Sequence, residues 1–370
     1  MDIAELQRRL KPALLPFGAL YAQAMRLRRW AFETGRPGQW LEQWRPNCPV
    51  VSVGNIGWGG SGKTPLCGHI LRWAGKHEEH ALVLTRGYGA KPHRLPLLVT
   101  RTENPHYCGD EPLLLARSHP LARVVVDPRR KRSGPWAYQR FDPDFVLLDD
   151  GFQHLPVARD LDLVLLTPRD LAEGWNRVCP AGTWREGASA LTRASAFCIK
   201  TPHALENRLP QELERALRHR LEPFGKPVFT FGLAPKGLMR VDGTQRATDL
   251  GGEDYLLATG IADPAQAAHT AQALLGNAPR TVLPFADHHA FTAQDLLRVH
   301  TAAAGAPVVV TAKDAVKLAK LPGAEGFWVL RTKLVFGPSL FAGVCFDDWF
   351  SAQLRELAEH YRPLAAREHV

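Results

Sequence analysis

Residues 49–65, reading PVVSVGNIGWGGSGKTP, place a short apolar run directly before a glycine-rich bend that carries a lysine and a threonine. Gly57, Gly62, Lys63 and Thr64 fill the spacing GxxxxGK[ST]. In that spacing successive backbone N–H groups curl around phosphate oxygens, the lysine neutralises the outer phosphates, and the threonine hydroxyl is placed for Mg²⁺. The bend therefore predicts a triphosphate cradle built from Gly57, Trp58, Gly59, Gly60, Ser61, Gly62, Lys63 and Thr64. A helix is expected to start there, with Pro65 tolerated in its first turn and Leu66, Ile70, Trp73 and Ala74 on one face. Its N-terminal dipole adds to the anion site.

Four further clusters have chemical potential. Asp149 and Asp150 end the apolar run from Phe145, the position from which phosphate-loop proteins hold Mg²⁺; a pair of turn acids is the plainer alternative. The continuation through Gln153 and His154 keeps polar groups nearby, and His154 fits a structural hydrogen bond equally well. Asp110 and Glu111 open a helical run over 113–117. An aspartate at a helix start is most often a cap, but phosphoryl transfer to a hydroxyl needs a group that orients or deprotonates the nucleophile, and carboxylates do that. Asp287-His288-His289 offers an imidazole that binds metal, packs, or assists the chemistry. Arg129-Arg130-Lys131-Arg132 reads as a solvated basic face or as a contact to a substrate phosphate.

These residues need a scaffold. Runs at 81–85, 123–127, 144–150, 162–166 and 196–199 are continuously apolar, as strands covered by helices on both faces are. They predict an α/β fold with a doubly wound, mainly parallel sheet, whose ligands gather at the carboxyl ends of strands. A second, smaller α/β set follows Pro227, with strands at 228–231, 255–260, 308–311 and 327–330 and a helix over 266–275. The expected division is an N-terminal region 1–46, a phosphate-loop domain 47–225 and a C-terminal domain 226–370, with residues 168–187 as a long loop.

The chain has 370 residues, 45% hydrophobic and 22% charged, an ordinary globular composition. Its six cysteines stand singly with no CxxC pair, which argues against a zinc site and a disulfide framework. A net charge of +9 predicts an anionic partner, whether nucleotide, nucleic acid or acidic lipid; no nucleic-acid recognition motif is recognisable. In the first 46 residues Phe17, Leu20, Tyr21, Ala24, Leu27 and Ala31 recur at helical spacing, among Arg8, Arg9, Lys11, Arg26, Arg28 and Arg29 and beside Trp30, Phe32 and Trp40. That pattern suits an amphipathic helix on an anionic membrane surface, or one docked on its own domain.

The ordered set VGNIGWGGSGKTP, RGYG, GDEPLLLA, DDGFQH, CPAGTWREG, ATGIADP, ADHHAFT and TAKDAVKL resembles the tetraacyldisaccharide 4'-kinases of lipid A biosynthesis, from about Leu14 to about Leu318. The resemblance implies transfer of the γ-phosphoryl of ATP, with Mg²⁺, to the 4'-hydroxyl of a tetraacylated glucosamine disaccharide 1-phosphate, giving lipid IV A. It implies a peripheral enzyme at the cytoplasmic face of the bacterial inner membrane; no obligate protein partner is evident in the sequence, and no nucleic acid is expected as a partner. It also implies roles: Asp110 as catalytic base assisted by His288, Lys63 and Thr64 on phosphate and Mg²⁺, Asp149 and Asp150 supporting the metal. Arg86, Tyr88, Glu111, His154 and Glu186 would line the substrate site. The chain departs from the family's usual pattern at CPAGTWREG, at Ala312 in TAKD, and at Trp58.

Overall fold

The computed structural model describes residues 3–35, 41–60 and 62–368. Ser61 and Trp40, and the side chains of Arg8, Arg9 and Lys11, lie outside the described residues. The chain forms two compact units: Met1–Arg86 with Leu121–Gly232 and Phe336–Val370, and Gly87–Pro120 with Leu233–Val335. Two long strands, Val228–Arg240 and Trp328–Leu340, carry the chain from one unit to the other.

The first unit is built on a parallel sheet. Val50–Asn55 lies between Phe145–Asp149 and Leu161–Leu166, with Ala81–Thr85 and Arg123–Val126 beyond the former and Ala196–Lys200 and Val228–Phe231 beyond the latter. All six residues of Val50–Asn55 and all five of Phe145–Asp149 are buried, which is why these strands read as unbroken apolar runs. The chain first builds outward on one side of Val50–Asn55 and then crosses to the other. The carboxyl end of that strand is thus the switch point of a doubly wound sheet, where a crevice for ligands opens. Register sets the chemistry: Val53 pairs with Asp149, so the acidic pair stands beside the strand that feeds the phosphate loop.

The second unit has its own parallel strands, ordered Thr281–Pro284, Leu256–Thr259, Val308–Thr311 and Trp328–Leu330. Leu256, Ala258, Val308, Val310, Leu296, Val299 and Phe327 make one core layer, and Tyr255, Leu257, Val309 and Trp328 another. The helices Asp110–Ser118 and Ala312–Leu318 pack against each other in this unit.

The units are not the consecutive segments expected from the sequence. Residues 87–120 leave the first sheet between two of its strands and join the second unit. The C-terminal stretch returns to the first unit because its aromatic residues have a seam to fill. Phe346 stacks on Phe336 with ring centroids 4.2 Å apart and meets Phe229 edge-on at 5.3 Å, while Phe350 meets Trp73 at 5.0 Å. Both Phe346 and Phe350 are almost fully buried on the helix Phe346–Glu368.

The N-terminal helix Ile3–Thr34 touches its own unit along one side. Ala22 packs on the core, Arg28 donates to the Gln153 carbonyl at 3.4 Å, and Arg29 donates to the Ser189 carbonyl at 3.0 Å. Phe17, Leu20, Leu27 and Trp30 remain at least half exposed.

Candidate active site

The phosphate loop is strapped from one side. Trp58 N–H donates to the Thr183 carbonyl at 3.0 Å, and Arg185 N–H donates to the Ile56 carbonyl at 2.8 Å. Between these contacts Trp184 is fully buried, and its indole N–H donates to Asp170 at 2.9 Å. Asp170 closes a capping box with Thr167 on the short helix Pro168–Leu171. Residues 168–187, expected as a long loop, are irregular beyond the short helix Pro168–Leu171 and brace the phosphate loop, because a buried tryptophan with a satisfied N–H anchors them. Gly62, with φ 94°, caps the helix Lys63–Lys76; a Cβ there would be strained and would approach the Phe231 ring at 3.0 Å. Trp58, at 66% exposure, carries the Arg185 guanidinium 5.7 Å from its ring centre.

Charges converge at the carboxyl ends of the strands. Lys63 Nζ donates to Asn55 Oδ1 at 3.1 Å and lies 3.4 Å from Asp150 Oδ1. Arg185 donates to Asp150 Oδ2 at 3.1 Å, and buried Arg130 donates to the Asp150 carbonyl at 2.8 Å. Burial pushes the Asp150 carboxyl up, but Lys63, Arg185 and Arg130 outweigh it, so the group stays below the usual carboxylate range. Asp150 Oδ1 is buried without a hydrogen bond of its own. Asp149 accepts from the Thr85 hydroxyl at 2.9 Å and from the Cys67 thiol at 3.8 Å.

The other residues singled out in this unit have mixed surroundings. His154 is held neutral: burial and then the charges of Arg130, Arg159, Arg28 and Arg86 push it down to about 3. Arg86 is exposed at the end of its strand. Glu186 is buried and engaged by both terminal nitrogens of Arg193, at 3.0 and 2.9 Å. That bidentate pair ties residues 186 and 193 together and leaves the carboxylate little freedom to meet a ligand.

A second cluster is built wholly within the other unit. Gly109, at φ 87° and ψ 154°, turns the chain so that Asp110 begins its helix. The N-cap is thus glycine, and the Asp110 carboxylate faces a different set of groups. Its Oδ1 meets His288 Nδ1 at 3.2 Å, and its Oδ2 has Lys317 Nζ at 3.8 Å and Lys313 Nζ at 4.0 Å. Burial pushes this carboxyl up, but the hydrogen bond from His288 and the charges of Lys313 and Lys317 hold it below its ordinary value. Oδ2 is buried and accepts no hydrogen bond among the described residues.

Lys313 Nζ reaches Asp287 Oδ1 and His288 Nε2, each at 3.1 Å, and Glu111 at 3.3 Å. Beneath it Asp314, fully buried, accepts from the hydroxyls of Thr259 and Thr311 and from the Gly260 N–H, and lies 3.5 Å from Lys317 Nζ. The exposed ring of Tyr88 sits 5.5 Å from that of His288. His289 instead meets Asp295, itself in a capping box with Thr292.

The structure thus gathers Lys63, Asp149, Asp150, Arg86 and His154 in one unit and Asp110, Glu111, Tyr88 and His288 in the other. Sequence reasoning did not single out Asn55, Arg185, Lys317 or Asp314, and it treated Arg130 only as part of a basic run. Lys313 and Lys317 carried a usable signal, since their spacing of four sets both on one helix face.

The comparisons with known proteins bear on the whole chain. Residues 10–345 match the family model described as LpxK, tetraacyldisaccharide-1-P 4'-kinase. The chain belongs to this family. A tetraacyldisaccharide 4'-kinase of Nitratidesulfovibrio vulgaris is 45% identical over 359 residues, covering 97% of this chain and 98% of the relative. One from Oleidesulfovibrio alaskensis is 47% identical over 366 residues, covering 97% and 99%. The solved structure of LpxK from Aquifex aeolicus, in complex with ATP, superposes with a TM-score of 0.72 at 26% identity, over 94% of this chain and 99% of its own. The family indicated by the ordered motifs is the family matched, and the phosphate-loop α/β fold agrees with it.

Proposed function

We propose that this protein transfers the γ-phosphoryl group of ATP to the 4'-hydroxyl of a tetraacylated glucosamine disaccharide 1-phosphate, forming lipid IV A in lipid A biosynthesis. Phosphate loops serve hydrolases as well as kinases. The observation that favours transfer to a hydroxyl is Asp110: a buried carboxylate kept ionised by an imidazole and two lysines, with one oxygen accepting no hydrogen bond.

Each residue then has a task. Backbone N–H groups of the loop and Lys63 hold the phosphates, and Lys63 offsets charge that builds on the transferring group. Thr64, in the first turn of the helix after the loop, and Asp149 and Asp150, at the end of the neighbouring strand, are hard oxygen donors, and Asp150 Oδ1, which accepts no hydrogen bond and lies 3.4 Å from Lys63 Nζ, suits a cation. Among the described residues no group of three or more His, Cys, Asp or Glu is placed to hold a metal ion by itself; Mg²⁺ held by Thr64, Asp149 and Asp150 would neutralise phosphate oxygens. Asp110 Oδ2 takes the proton of the sugar hydroxyl, a poor nucleophile otherwise, and His288 steadies the carboxylate through Oδ1. Arg86, Tyr88, Glu111 and His154 supply polar contacts to the headgroup. Glu186 contributes through its pairing with Arg193.

The enzyme would work at the cytoplasmic face of the inner membrane as a peripheral protein. Among the described residues no helix is long and apolar enough to cross a membrane. The exposed Phe17, Leu20, Leu27 and Trp30, with Arg26 and Arg28, form a surface of the kind that enters an anionic lipid interface.

The test is ATP consumption by the pure protein with and without the acylated disaccharide 1-phosphate. Consumption that requires the lipid, and is abolished in Lys63→Met, is expected. Equal consumption without lipid would assign the chain to a different phosphate-loop NTPase class.

A further inference from the structure

The second unit contains a lysine whose contacts exceed what an ion pair requires. Lys313 Nζ stands 3.1 Å from His288 Nε2 while His288 Nδ1 stands 3.2 Å from Asp110 Oδ1. An ammonium group has donors only, so Nε2 must offer its lone pair, and the single ring proton sits on Nδ1. An imidazolium would set an Nε2–H against the lysine's own N–H groups. Three carboxylates hold the lysine in place: Asp287 at 3.1 Å, Glu111 at 3.3 Å and Asp110 at 4.0 Å. Burial works against its charge, but Glu111, Asp110 and Asp287 outweigh that and keep it charged.

We propose that Lys313 is a positioning residue that fixes His288 as the neutral Nδ1–H tautomer, so that the ring donates to Asp110 Oδ1 and leaves Oδ2 as the base.

The contest over the ring is visible in its surroundings. The hydrogen bond with Asp110 favours a second proton and raises the imidazole above its ordinary value; burial and Lys313 oppose that. The groups that face the ring are Asp110 from the helix Asp110–Ser118, Tyr88 from the preceding segment, Asp287 from its own turn and Lys313 from the helix Ala312–Leu318, with Glu111 against Lys313 and Lys317 against Asp110. Of these, the lysine is the one that touches Nε2 with a donor, which fixes a tautomer as well as a charge. The inference rests on the reading of Asp110 as base, and it assigns Lys313 a role in holding the proton inventory of the pair rather than in touching substrate.

The experiment is nitrogen-15 NMR of histidine-labelled full-length protein at pH 8, with the His288 signals assigned by their loss in His288→Asn. The expected result is an unprotonated Nε2 and a protonated Nδ1 in the native protein. In Lys313→Met the Nε2–H form should gain population, the His288 titration midpoint should move upward, and kcat should fall about tenfold or more, within the range general base catalysis contributes. A native ring protonated mainly at Nε2 would overturn the proposal whether or not the variant folds. So would a tautomer and midpoint unchanged in Lys313→Met. An Asp110→Asn enzyme at native activity would remove the base reading alone, because the NMR result does not depend on turnover.

Discussion

Asp314→Asn is the substitution that most sharply tests how the second cluster is held. The native carboxylate is fully buried and accepts from the Thr311 hydroxyl at 2.6 Å, the Thr259 hydroxyl at 3.0 Å and the Gly260 N–H at 3.1 Å. It also lies 3.5 Å from Lys317 Nζ, itself mostly buried. Asparagine keeps the volume and one acceptor oxygen, but it presents an NH₂ to groups that are donors and leaves Lys317 without its nearest counter-charge. Breaking one partner of a buried ion pair costs ~3–5 kcal/mol. For a unit of this size that corresponds to a fall of roughly 10 °C in the unfolding temperature. Differential scanning calorimetry of the purified variant is the assay, read as the shift of the unfolding midpoint from that of the native protein. A midpoint within about 2 °C of native would refute the claim that Asp314 and Lys317 are an interdependent buried pair.

Three further outcomes are expected. His154 has a folded value of about 3 against an unfolded value near 6.5. The unfolded chain therefore binds a proton that the folded one refuses, and stability is lost as pH falls below about 6.5; by pH 5 the loss is ~2 kcal/mol. Denaturant midpoints at pH 7.5 and 5 should show that drop, and His154→Gln should flatten it; an equal slope in both proteins would contradict the neutral buried ring. Gly109→Ala places a side chain at φ 87° and ψ 154°, a glycine conformation, at a cost of about 1–3 kcal/mol, and should lower kcat through misplacement of Asp110; unchanged kcat and unfolding temperature would show that the turn tolerates it. Leu20→Glu with Leu27→Glu should reduce co-sedimentation with anionic vesicles, because both side chains are more than 60% exposed on the N-terminal helix; equal sedimentation would argue against that face as the membrane contact.

Much of the first sheet was legible because parallel strands covered on both faces must be apolar throughout, and the runs at 81–85 and 196–199 match observed strands to within a residue. The grouping into units was not legible. Residues 87–120 belong with 233–335 through contacts distant in sequence, which local pattern does not encode. The C-terminal helix had a readable stripe in Phe346, Phe350 and Leu354 at intervals of four, but its partners Phe229, Phe336 and Trp73 come from scattered segments. In the site, spacing alone pointed to Lys63, and strand ends to Asp149 and Asp150. Arg130 was hidden because a run of four cations looks solvated, whereas the structure buries it on Asp150 and pairs its neighbour Arg132 with Asp127 at 2.8 Å. Trp184 and Glu186 show the converse. Their segment reads as an irregular loop, and its order comes from one buried indole and one bidentate ion pair.

The central claim is that the protein moves the γ-phosphoryl of ATP to a lipid hydroxyl deprotonated by Asp110. Its most direct test is the rate of phosphate transfer from labelled ATP to the acylated disaccharide 1-phosphate by native enzyme and by Asp110→Asn, with KM for ATP measured in both. The account predicts labelled lipid from the native enzyme, and a kcat lowered about 10²–10⁴-fold in the variant at similar KM for ATP. Transfer by Asp110→Asn within about twofold of native, or ATP turnover that leaves the lipid unlabelled, would contradict it.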